Sequence, residues 1–330
     1  MTAVRLSGEG RNLFSEDSAD LLAWYGAEGM GYPLASSTER LAYAESGLTR
    51  EDLARLRVRR LEGVWRLPDA LRARTEGALA TWRRHFDTAT VFDGSNVRWT
   101  TLDGAASPLL STQQTVYEDY IRSNLVLDHY EDGASVREFV HPGGRLDDLS
   151  QSALANTIGI NILMVGAAGD IPLQVRSATV AVRPHQVCSS ASGALEAADI
   201  PLAAADLATC HLLREAEEEI GSGFVGAHLG KPVVLGLWRE LARGGHPELF
   251  VAVEGDFTRA QALSAFAEAG SEAAALDFVR FPKTGDRFDR AGALAALEDL
   301  ERRFPGRLAT PLKANLALLL DYLAGAGRMT

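Results

Sequence analysis

The sequence predicts an α+β protein, and three observations predict it. Apolar, β-branched runs recur along the chain, as in NTIGINILMV, KPVVLGLWRE and ELFVAVEG. Between them stand segments with helical apolar spacing and recognisable start signals. The 330 residues are 46% hydrophobic and 23% charged, enough for a sizeable core under a solvated surface.

Thr49 and Asp52 stand at the N-cap and N3 spacing of a helix over TREDLARLRVRRL. Pro68 opens PDALRARTEGALATWRRHF as a helix with proline in its first turn. TATVFDG and NVRWTTL read as strands separated by Gly94, Ser95 and Asn96, and TVYEDYIRSNLVLDHY reads as a helix. From 156 onward, NTIGINILMVGAAGDIPLQVRSATVAV reads as a hairpin bent at Gly169–Asp170. A helical stretch is expected from Pro201 to Ile220, followed by the strands KPVVLGLWRE and ELFVAVEG. A helix over Thr258 to Ala269, a strand ALDFVRF and helices near 290–303 and 311–324 complete the pattern. The chain thus divides into an α+β N-terminal region at 1–110, a connecting helical segment at 111–154 and a larger domain at 155–330.

Charge narrows the function. Lysine and arginine number 33 against 44 aspartates and glutamates, a net charge of −11. That balance argues against a polyanion binder, so no nucleic-acid partner is expected. A metal can still bring local positive charge to a nucleotide. The two cysteines, Cys188 and Cys210, form no CxxC pair, which excludes a cysteine-based zinc knuckle and fits a reducing compartment. The opening MTAVRLSGEGRNLFSEDSADLL has no apolar signal-peptide core, and no window is apolar enough to span a bilayer. A cytoplasmic location is expected, with no membrane partner.

The stretch that carries chemistry is LLREAEEEIGSG, residues 212 to 223. Glu215, Glu218 and Glu219 stand at i, i+3 and i+4, so a helix places all three carboxylates on one face. Leu213, Ala216 and Ile220 fall on another side and can pack against a sheet, and Gly221 supplies a stop. Like charges at this spacing destabilise a bare helix, and a divalent cation removes that penalty. Mg²⁺ suits a carboxylate cluster because it is hard, prefers oxygen and keeps waters. The bland alternative is a solvated glutamate-rich face.

REAEEEIG resembles the second half of the Nudix box, GX5EX7REUXEEXGU with U a bulky apolar residue. Arg214 and Glu215 match the RE pair, Glu218 and Glu219 the EE pair, and Gly221 the late glycine. The U positions hold the small residues Ala216 and Ser222. The first half departs: the upstream glutamate position falls on Asp206 and the opening glycine position on Ile200. Gly193, in SSASGALE, lies 21 residues before Arg214 where the pattern has 14, so an insertion of 21 − 14 = 7 residues reconciles them. The alternative HPGG at 141–144 lies too far upstream and reads as a decoy. Further upstream, TWRRHFDTATVFDGSNVRWTTL and TVYEDYIRSN are similar to the UDP-glucose/UDP-galactose diphosphatase branch of Nudix proteins.

The resemblance implies a Nudix-type α/β/α sandwich with a mixed sheet over 155–330, preceded by the smaller N-terminal region. It implies Mg²⁺-dependent (or Mn²⁺-dependent) hydrolysis of a nucleoside diphosphate linked to another moiety, with a nucleotide sugar in view. Glu215, Glu218 and Glu219 would be the metal ligands and Arg214 would orient them; all four are the catalytic candidates. Arg176 and Gly193 are the substrate-binding candidates, and the expected partners are a small-molecule nucleotide and, compatibly, a second copy in a homodimer. The degenerate first half keeps an alternative open, a nucleotide-binding or regulatory module that does not cleave. An unrelated α/β enzyme is a third reading. Asp206 reads either as an internal tether of the box or as a solvated helix aspartate, His211 as a surface histidine one turn before Glu215, and Trp238 and Phe250 as core aromatics.

Overall fold

A computed structural model describes residues 18–26, 30–33, 40–85, 94–104, 107–131, 133–177, 185–270, 273–284 and 287–326. It is a mixed α+β structure built on three main sheets. The central sheet has five strands in the order Ala191–Ala194, Gly159–Val165, His246–Gly255, Leu229–Glu240 and Tyr43–Glu45. Gly159–Val165 runs parallel to His246–Gly255, and the other neighbours are antiparallel. A three-stranded antiparallel sheet joins Val187–Cys188, Asp170–Arg176 and Ala273–Arg280. The third sheet orders Ala205–Asp206, Arg57–Val64, Leu109–Val116 and Ser95–Asp103.

The strand Gly159–Val165, GINILMV, is buried at every residue, as its unbroken apolar run requires of a strand covered on both faces. Ile160, Ile162 and Met164 point to one core together with Leu249, Val251 and Val253. Ala216 and Ile220 of the helix Arg214–Ile220 complete that side, with Ala262 of the helix Arg259–Ala269. Leu163 and Val165 point to the other core, with Phe250 and Ala252 and a leucine row from Leu312 to Leu323 of the helix Thr310–Ala326. Helices therefore cover both faces of the central sheet. Trp238 and Phe250 sit in this second core, and among the described residues no helix is long and apolar enough to cross a membrane.

Local signals hold where they are strong. Thr49 and Asp52 form a capping box, but the helix expected through Leu61 stops at Ala54, and Arg57–Val64 is instead a strand paired with Leu109–Val116. Thr258 with Gln261 forms a capping box on Arg259–Ala269. NVRWTTL lies in the strand Ser95–Asp103, which begins at Ser95 itself; TATVFDG falls outside the described residues except for Gly94. The strand Leu109–Val116 crosses from the N-terminal region into 111–154.

Tertiary pairing corrects four further expectations. The run at 156–182 is no hairpin: a turn closes with Gly166 N–H to Asp170 O at 2.8 Å, and then the two strands part into different sheets. Buried Asp170 draws the second strand away, because Arg280 grips its carboxylate through Nε and Nη2, both at 2.8 Å. The stretch from Pro201 is α-helical only from Arg214, with a single 3-10 turn at Leu207–Thr209 before it. Arg60 N–H donates to Pro201 O at 2.8 Å and Leu207 N–H to Leu56 O at 2.9 Å, so sheet pairing overrides alanine's helix propensity. The helix after Pro68 breaks at buried Thr75 into Asp69–Arg74 and Glu76–His85, the Thr75 hydroxyl donating to Leu71 O at 2.9 Å. The segment at 115–130 is α-helical only over Tyr117–Tyr120 and continues as a π-turn, Ile121–Leu125.

Leu319 is fully buried in the second core. Leu319→Ala is expected to lower unfolding free energy by about 2–5 kcal/mol in urea titrations, whereas Thr49→Ala, which loses only a cap, costs about 1 kcal/mol.

Candidate active site

The helix Arg214–Ile220 ends at Gly221, whose φ of 102° turns the chain straight into a second short helix, Ser222–His228. Its apolar side, Leu212, Ala216 and Ile220, is buried, which fixes where the carboxylates go. Glu215 lies half-buried against the edge strand Ala191–Ala194, and Oε1 accepts from Ala194 N–H at 3.1 Å. Glu219 accepts from Gln174 of the neighbouring sheet, and Glu218 is exposed. The three carboxylates share a side of the helix, but they do not form a preassembled cage. Among the described residues, the ligand group gathered within 4.8 Å is a different one, Glu240, His246 and Glu248.

Arg214 organises the face. Its Nε donates to both oxygens of Asp199 at 3.0 and 3.1 Å, Nη2 to Glu215 Oε1 at 2.7 Å and to Ala194 O at 2.6 Å, and Nη1 to Glu218 Oε1 at 2.8 Å. Asp199 is almost wholly buried and also accepts from Glu196 N–H at 2.8 Å. Burial alone would weaken the guanidinium's hold on its proton, but Glu215, Glu218 and Asp199 outweigh it and raise the Arg214 pKa. Burial also raises the Glu215 carboxyl above its usual value, with Arg214 opposing.

Gly193 explains why a glycine stands on the edge strand. A Cβ built there would lie 2.2 Å from the Glu215 carboxyl carbon, so any side chain would displace the carboxylate. The same strand walls a cavity of about 200 Å³, lined by Ser192, Gly193 and Ala194 and by Arg176. The structure thus brings both substrate-binding candidates to one hollow, which Glu215, Glu218 and Glu219 do not themselves line. Arg176 Nε is buried and makes no hydrogen bond.

Tyr117 and Tyr120 form another wall, so the segment joining the N-terminal region to the larger domain takes part in the cavity. The floor is polar: Asn161, Arg243, His246 and Glu248 reach it. Asn161 Nδ2 donates to Glu248 Oε2 at 2.5 Å, and Arg243 Nη1 donates to the Tyr120 hydroxyl at 2.8 Å. The π-turn holds this floor in place, since Asn124 Nδ2 donates to Arg243 O at 2.8 Å and to Asn156 Oδ1 at 2.9 Å.

Sequence reasoning missed Asp199 and the floor residues. His246 and Glu248 did leave a signal: polar residues at alternate positions of the otherwise apolar run HPELFVAV share one face of a strand. Asp199 left none, since it lies in a loop whose return to Arg214 only the fold reveals. Asp206 pairs through its strand with Arg57 and His211 bonds Glu217 at 2.9 Å, both away from the cavity wall. Gly144 of HPGG packs on the Trp24 carbonyl.

No protein-family model and no curated protein matches the chain. Among solved structures it is similar to the protein described as DR0079 from Deinococcus radiodurans, at 14% identity over 50% of this chain and 81% of that one, with a TM-score of 0.29. A likeness at that score carries no argument.

The raised Glu215 pKa has a measurable sign. From its usual 4.5 up to the raised value, the folded protein keeps a proton that the unfolded chain has released, so this contribution to stability is lost as pH rises through that window. Urea midpoints taken between about pH 4 and 8 are expected to show that loss in the native protein and a smaller one in Glu215→Gln.

Proposed function

We propose that this chain is a Mg²⁺-dependent pyrophosphohydrolase of the Nudix type, acting on a nucleoside diphosphate linked to another group, with a nucleotide sugar as the favoured class. The observation that carries the reading is the bolting of the acidic helix, through Arg214 and Glu215, to the strand that walls the cavity. Helices on both faces of a mixed sheet support the sandwich that the REAEEEIG resemblance implies.

The all-oxygen donor set fits Mg²⁺, which takes one or two carboxylates and leaves its other positions to water and phosphate. Glu218 and Glu219, with Glu215, would hold it, and Mn²⁺ would serve in the same place. Bound there, the ion supplies charge neutralisation at the diphosphate and lowers the pKa of a water. Arg214 keeps Glu215 and Glu218 oriented. One of these glutamates, or another acid of the pocket, would take a proton from the attacking water. Arg176, with an unsatisfied Nε beside the cavity, binds a phosphate oxygen.

A second reading rests on the same ion pairs: Glu215 and Glu218 are already partnered by Arg214, as a module that binds a nucleotide without cleaving it would keep them. Turnover separates the two. With UDP-glucose or ADP-ribose and Mg²⁺, nucleoside monophosphate release is expected, abolished by EDTA and lowered about 10²-fold or more in Glu218→Gln. Thermal stabilisation by the same compounds without product would favour the binding module. Gly193→Ala is expected to lower turnover by about 10–100-fold through displaced Glu215, while circular dichroism shows an intact fold. Unchanged turnover in both variants would remove the acidic helix from the mechanism.

A further inference from the structure

The cavity floor holds a cluster that the acidic helix does not explain. Glu240 and His246 close the two strands that meet at the turn Leu241–Arg243, and Glu248 follows His246 on the same strand face. All three are buried, at 1%, 2% and 3% exposure, and each offers a ligand atom within 4.8 Å of the others. We propose that Glu240, His246 and Glu248 form a binding site for a divalent transition metal of the Zn²⁺ class, separate from the acidic helix and reached through the cavity.

Two of the three are buried carboxylates, and the Arg243 guanidinium lies beside both. Arg243 Nε lies 3.3 Å from Glu240 Oε2 and Nη1 lies 3.7 Å from Glu248 Oε1, both longer than a charge-assisted hydrogen bond of about 2.7–2.9 Å. The short bond of Arg243 Nη1 goes instead to the Tyr120 hydroxyl, at 2.8 Å.

His246 supplies an independent sign. Its Nδ1 is buried and makes no hydrogen bond, yet it faces Glu248 Oε1 at 3.5 Å. That separation is too long for a hydrogen bond. It matches the ~3.4 Å edge between two ligands held about 2.0–2.2 Å from a tetrahedral metal. The other ring nitrogen, Nε2, meets the Thr157 hydroxyl at 3.2 Å, the outer contact that fixes a ligating imidazole. Glu248 is steadied in turn by Asn161 and by the absence of a side chain on Gly159, where a Cβ would lie 2.6 Å from Oε2.

An imidazole with two carboxylates selects Zn²⁺-class ions over Mg²⁺. Since His246 and Glu248 line the cavity, an ion there, with Arg243 and Arg176, would give the hollow a positive lining suited to an anionic ligand.

The test uses the full chain, stripped with EDTA and titrated with Zn²⁺ alone by calorimetry. One tight site is expected, weakened at least about tenfold in Glu248→Gln and in His246→Gln and unchanged in Glu218→Gln. Because buried substitutions can unfold a chain, ¹⁵N NMR of the native protein provides a second reading: Zn²⁺ is expected to shift His246 Nδ1. No Zn²⁺ binding, an unshifted Nδ1, or a loss confined to Glu218→Gln would overturn the proposal. Zn²⁺ binding without Mg²⁺-dependent hydrolysis would uphold this site while removing the proposed activity.

Discussion

The structure around the cavity depends on one guanidinium. Arg214 reaches backward to Asp199, sideways to Glu215 and the Ala194 carbonyl, and forward to Glu218. Each contact ties a different piece of chain: the loop that carries Asp199, the edge strand and the acidic helix. Removing one member of a buried charge network leaves the others uncompensated, a cost of about 3–5 kcal/mol. The helix itself is only two turns long and carries repelling carboxylates, so it owes its place to this grip and to Ala216 and Ile220 in the core.

That grip reaches the strand that walls the cavity. Ala191–Ala194 is an edge strand, with Glu215 against its Gly193, and Ser192, Gly193 and Ala194 line the hollow. The far wall comes from Tyr117 and Tyr120, and the floor from the turn that the π-helical Asn124 clamps. A π-turn, a half-satisfied Arg176 and buried Glu240, Glu248 and His246 are each costly to a fold. Their gathering around one hollow is what makes it the candidate site.

Much of this was legible one residue at a time. The capping pair Thr49–Asp52 announces its helix because the signal is local, and so does the helical run after Thr258. The spacing of Glu215, Glu218 and Glu219 announces a shared face for the same reason. Gly193 and Arg214 were both singled out in the sequence, and the structure places them together, Ala194 N–H meeting Glu215 at 3.1 Å. What failed was pairing. Asp170–Arg176 looked like the return arm of a hairpin, but Arg280, more than a hundred residues away, decides its partner. The alanines after Pro201 looked helical, but Leu56 and Arg60 hold them in a sheet. Asp199 and Glu240 were invisible because their roles exist only through residues distant in the chain.

The central claim is that the acidic helix holds a divalent cation where a diphosphate in the cavity can meet it. The most direct measurement is an anomalous difference map from crystals grown with Mn²⁺ and a non-hydrolysable nucleoside diphosphate analogue. A Mn²⁺ peak bounded by oxygens of the Arg214–Ile220 helix, with the diphosphate between it and Arg176, is the predicted result. An analogue bound elsewhere, with no metal peak on that helix, would contradict the account.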